Sequence, residues 1–133
     1  MRHRRRRQRI PALLLVRRPG PGLRPSHDST GSSFTAAYGS KAVAGKWTHL
    51  VAVYDADTGQ LLLYVNGHLS AVKTYTGTVW DAGGAVQFGR RLSQGTYGEY
   101  ANGRLGDVRL YGTDLPPADA AAPGGGAVLL QLG

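Results

Sequence analysis

One stretch limits what this chain can become. From Gly45 to Gly67 it reads GKWTHLVAVYDADTGQLLLYVNG. Trp47 to Tyr54 is rich in β-branched and aromatic residues, and Leu61 to Val65 is apolar around Tyr64. Such residues fit a pleated surface. The turn formers Asp55-Ala56-Asp57-Thr58-Gly59 separate the two runs. Asn66-Gly67 is the favoured pair for a type I′ hairpin turn, where both central residues take positive φ. Trp47, His49, Val51 and Val53 alternate with Thr48, Leu50, Ala52 and Tyr54, so both faces of the first run are largely apolar. A strand apolar on both faces is central and covered from both sides. Trp47 and Tyr54 are expected in the core.

The remaining chain reads as short elements. Phe34 to Tyr38 is a candidate strand after the polar linker Ser26 to Ser33. His68 to Tyr75 is the hairpin partner expected beyond Asn66-Gly67, with a more exposed pattern. Ala85 to Arg90 and Gly103 to Tyr111 are further strands, with a polar loop over Arg91 to Gly98 and a short strand or lead-in over Glu99 to Asn102. The alternation in the last strand slips near Gly106, as at a β-bulge. Leu115 to Ala122 suits one helical turn, because proline is accepted at the first helical position. Ala127 to Gly133 has no obvious partner and is expected to be loose or to join an edge. Several short strands between turn signals give an all-β, antiparallel β-sandwich.

Charge is divided unevenly. Residues 1–25 hold nine arginines and no acid, whereas the rest holds seven basic residues and eight acids, a net −1. Any argument for nucleic acid therefore rests on that arm alone. The arm competes among three readings: functionally empty sequence from a mis-assigned start, an export signal, and a nucleic-acid arm. Against the signal, the apolar run Ile10 to Val16 is short, Arg17-Arg18 ends it, and no small-residue cleavage site follows. No run approaches the roughly 18 apolar residues of a membrane helix. There is no cysteine, hence no disulfide or thiolate chemistry.

Four ordered pieces carry a family resemblance. They are Gly45 to Asp55 with Gly59 and Leu63 to Gly67, then Val86 to Arg90, then Asn102 to Tyr111, then Leu115 to Ala118. Together they resemble the laminin G-like group of the concanavalin A-like lectin/glucanase folds, over about residues 32–122. Gly106 and Pro116 depart from that pattern. The resemblance implies a jelly-roll sandwich. Residues before Thr30 do not resemble the strands that precede this region in the family, so the expectation is a domain incomplete at its N-terminus and a chain that is a truncated product. The expected division is a disordered basic tail or linker over 1–30, a partial sandwich over 31–122 and a glycine-rich tail over 123–133. The resemblance also implies an extracellular, secreted protein. The glycine- and arginine-rich style suggests a high-GC, actinomycete-type bacterium.

Chemistry is sparse. Glycoside hydrolysis needs two carboxylates flanking the bond, and Glu99 is the single glutamate. Asp55 and Asp57 read as turn formers. No G-x-S-x-G or phosphate-cradling loop occurs. His49 and His68 have no zinc-type spacing. Calcium enters only by resemblance, with Asp55, Asp57, Asp81 and Asp107 as donors. Candidate ligand contacts are Trp80, Tyr97 and Tyr100, whose rings suit sugar faces, with Asp81 and Asn102 as polar partners. A core role under a loop competes for Trp80, and core roles compete for both tyrosines. Asp107 and Arg109 share strand parity and are expected to pair. The leading expectation is a non-catalytic module for carbohydrate or another extracellular surface ligand. A structural spacer with no ligand, within a larger secreted protein, and a glycoside hydrolase remnant are the alternatives.

Overall fold

A computed structural model describes residues 14–17, 20–23, 35–75, 88–98, 100, 103–109, 116–121 and 128–132. Its centre is the predicted hairpin. Strand β4 (Trp47–Asp55) pairs antiparallel with β5 (Gln60–Val65), which pairs with β6 (His68–Thr74). The β5–β6 turn is Asn66-Gly67, with φ of 50° and 80°, as the type I′ geometry demands. Asn66 also continues the ladder past the end of β5. Its N–H donates to the His49 carbonyl (2.8 Å), and its side-chain Oδ1 accepts from the His49 N–H (2.9 Å). At the other end, Asp55 Oδ1 accepts from the Asp57 and Thr58 N–H groups, closing the turn as its composition implies.

Both faces of this hairpin are covered. On one, Leu61 packs with Ala37 and Tyr75, and Tyr54 is half-buried against Tyr75 with rings edge-on, 5.8 Å apart. That face meets a second, three-stranded sheet in the order β1 (Leu14–Arg17), β2 (Gly20–Leu23), β3 (Ala37–Tyr38). On the other, Val51, Val53 and Tyr64 pack against Ala120 of the short helix α1 (Pro117–Ala121). Pro117 occupies the first helical position, and the Pro116 carbonyl accepts from the Asp119 and Ala120 N–H groups. Leu50, Leu61 and Leu63 lose nearly all contact with solvent, each contributing about 1.5–3 kcal/mol of apolar burial.

The bulge in this sheet lies in β6, not at Gly106. Leu63 faces Ala71 and Tyr64 faces Leu69, so Ser70 is the extra residue. Its hydroxyl accepts from the Ser40 N–H at 2.7 Å, tying the chain after β3 to the larger sheet.

Several expectations are corrected. The segment after residue 127 is not a loose end. Strand β10 (Val128–Leu132) lies between β4 and β9 (Gly103–Gly106), giving a five-stranded order β6-β5-β4-β10-β9. It takes the open edge of β4, whose backbone groups need partners. Strands precede β4: β1 pairs with β2 and β2 with β3. The last predicted strand is shorter than expected and ends at Gly106, where Asp107 turns to a φ of 49°. The polar loop over 91–98 is a hairpin, β7 (Arg91–Ser93) with β8 (Thr96–Gly98), joined by Gln94-Gly95 at φ 50° and 78°. Phe88 to Arg90 is not strand, and residues 85–87 lie outside the described residues.

Gly67 combines positive φ with contact. A Cβ there would sit 2.9 Å from the Ala121 carbonyl oxygen of α1. Gly67→Ala is expected to destabilise the fold by about 2 kcal/mol or more, from backbone strain and displacement of α1. Leu63→Ala is expected to cost about 2–5 kcal/mol, whereas Leu69→Ala, on an exposed side chain, costs about 0.5 kcal/mol or less. Urea midpoints of the three variants check both statements.

Candidate functional site

Two surfaces present aromatic side chains with polar neighbours. The first is built on the β7–β8 hairpin. Tyr97 lies in β8, and the Arg90 guanidinium sits 3.7 Å from its ring centre. That contact holds the ring in place and is worth about 0.5–1 kcal/mol at an exposed site. The ring stays 41% exposed, so covering by Arg90 leaves accessible surface. Phe88 and Tyr100, in the flanking segments, are also exposed. Of the five residues singled out from sequence, Tyr97 and Tyr100 are therefore on the surface rather than in the core. Trp80, Asp81 and Asn102 lie outside the described residues, as does Glu99. Phe88 and Arg90 were missed, because both were read as parts of a strand over Ala85 to Arg90.

The second surface is the end of the larger sheet where β4 begins. Trp47 is 50% exposed, which overturns its expected place in the core. Its parity is right for a covered face, but the cluster that α1 covers takes Val51 and Val53, further along β4. The side chain instead crosses the sheet. Its Cη2 and Cζ3 atoms lie 3.7 and 3.8 Å from where a Cβ on Gly106 of β9 would be. Arg104 faces the same side, since Trp47 pairs with Gln131 and Gln131 with Arg104. Beyond Gly106, Asp107 and Arg109 form the expected ion pair, with Nε to Oδ1 at 2.9 Å and Nη2 to Oδ2 at 3.1 Å. Both side chains are nearly half exposed, so the pair fixes geometry more than it stabilises.

His49 shares the Trp47 face, two residues on. Its Nε2 is shut off from solvent and has no hydrogen-bond partner among the described residues. Desolvation pushes its pKa below 6.5, opposed by the nearby Asp107 carboxylate. The imidazole therefore favours its neutral form when folded.

The described residues do not fit a calcium site. Asp55 Oδ1 accepts two backbone N–H bonds and the Asp107 carboxylate is held by Arg109. Among the described residues no three histidine or carboxylate groups gather as metal ligands. Asp81 lies outside them. Among the described residues, too, no helix is long and apolar enough to cross a membrane.

A laminin G family model, described as the concanavalin A-like lectin/glucanases superfamily, matches residues 12–121. The chain belongs to that superfamily. The match starts before β1, in agreement with the pairing of β1 with β2. The all-β, antiparallel architecture is consistent with it. No curated protein and no solved structure matches the chain.

The depressed His49 pKa has a definite sign. Well above pH 6.5 the group is neutral in both folded and unfolded chains and adds no pH dependence to stability. As pH falls below 6.5 the unfolded chain takes up the proton first, so stability is lost until the folded pKa is passed. Denaturant midpoints measured from about pH 8 down to about pH 5 should fall less steeply in His49→Gln than in the natural sequence.

Proposed function

We propose that this chain is a non-catalytic binding module for carbohydrate or another extracellular surface ligand. The observation that carries the reading is the Tyr97 ring, held by Arg90 on an exposed hairpin and still 41% accessible. A ring fixed in this way offers a flat apolar surface to sugar C–H groups without losing much side-chain freedom on binding. Arg90 supplies hydrogen-bond donors beside it. Tyr100 and Phe88 extend the exposed aromatic surface in sequence. Superfamily membership supports the reading, because the superfamily's own description joins lectins and glucanases.

Support for a non-catalytic role comes from two of the described carboxylates. Hydrolysis of a glycosidic bond requires a pair held on either side of it. Asp55 is committed to its turn and Asp107 to Arg109. An extracellular setting belongs to the same proposal, since surface polysaccharides are found there.

A glycan array probed with the full chain is expected to return at least one polysaccharide. Tyr97→Ala should then weaken binding about tenfold, equivalent to about 1.4 kcal/mol, and Arg90→Ala by a smaller factor. A chain shown to be folded that binds neither arrayed glycans nor cell-wall polysaccharide overturns the reading.

A further inference from the structure

We infer that the flat indole of Trp47 and the guanidinium of Arg104 form a second sugar subsite, selective for residues of a polyuronic acid. The inference rests on the carbohydrate reading above but concerns a different surface. Trp47 starts on β4, and its ring reaches the position of Gly106 on β9. Strand β10 lies between them, so the ring spans a separation of about 9.5 Å, twice the strand spacing. An indole that crosses a neighbouring strand lies along the sheet. Half its surface is open to solvent. A Cβ at Gly106 would only touch the ring in ordinary contact, whereas a side chain as long as leucine would compete with the ring for the same space.

A half-open indole lying along a sheet face is a flat apolar platform. Its surroundings indicate which ligand suits it. Asp107 and Arg109 neutralise each other through two hydrogen bonds. Arg104 is exposed, shares the Trp47 face and has no ion-pair partner among the described residues. The patch thus has a flat apolar floor and, in Arg104, a positive charge without an ion-pair partner among the described residues. A pyranose ring carrying a carboxylate matches both: its C–H face packs on the indole, and its carboxylate meets the planar guanidinium fork. A neutral sugar would satisfy only the floor.

The test uses the full chain, with tetragalacturonate and cellotetraose as probes and calorimetry as the readout. Tetragalacturonate should bind more tightly than cellotetraose. Arg104→Gln, on an exposed side chain, should lower tetragalacturonate affinity about tenfold, and Arg104→Lys should restore only part of it. Trp47→Ala should lower it about tenfold or more, and Gly106→Leu should lower it too by displacing the ring, with the tryptophan itself retained. If Tyr97→Ala abolishes tetragalacturonate binding while Trp47→Ala and Arg104→Gln bind as the natural sequence does, this subsite is overturned and the hairpin reading stands. Binding unchanged by all these substitutions assigns the affinity to the arginines of residues 1–25 and overturns the subsite as well. Cellotetraose binding as tight as tetragalacturonate overturns the acidic-sugar selectivity. Binding of neither probe overturns the subsite, while the hairpin reading is judged separately by the glycan array.

Discussion

Everything in this fold follows from a strand pair that is apolar on both faces. Leu50, Leu61 and Leu63 point to one side of the sheet, Val51, Val53 and Tyr64 to the other. Neither set can be left in water without forfeiting a substantial part of a marginal folding free energy. Two covers are therefore required. The β1–β2–β3 sheet supplies one and helix α1 the other. The edges obey the same logic. With β5 on one side of β4, the other side needs a hydrogen-bonding partner, and β10 provides it.

Legibility in the sequence follows the range of the interactions. The β4–β5–β6 meander was readable because its signals are local: alternation in each strand, an aspartate-rich turn, and Asn66-Gly67 where positive φ is required. The α1 turn was readable for the same reason, through its prolines. Strand β10 was not, because its justification lies in Leu50 and Gly106, far away in sequence. Strands β1 and β2 were hidden by the arginines, prolines and glycines of a stretch read as basic tail or linker. The β7–β8 turn escaped notice because Gln94 is an unusual residue at positive φ.

The candidate surfaces divide similarly. Tyr97 and Tyr100 were recognisable as aromatic residues outside the strong strand patterns, and they are exposed. Trp47 was misread because parity gives the face of a strand but not how far along that face the cover extends. Helix α1 stops short of the β4 start, and the same face that is core at Val51 is open at Trp47. Arg90 could be found only once the hairpin brought it over Tyr97. In each case the missing information was tertiary.

The position of β10 has a consequence for assembly. It joins β4 to β9 in the middle of the larger sheet, yet it is the last of the described strands in sequence. The pairing of Val128 with Leu50 closes a loop containing most of the other elements. Closing so long a loop costs entropy before any of its contacts are made. The β4–β5–β6 meander can form early, from neighbours in sequence, with one flank of β4 still open. Strand β9 has no place in the sheet until β10 arrives. An intermediate with that flank uncovered exposes a strand edge, so it is the stage of folding at which the β10 strand of a second molecule could compete with the chain's own.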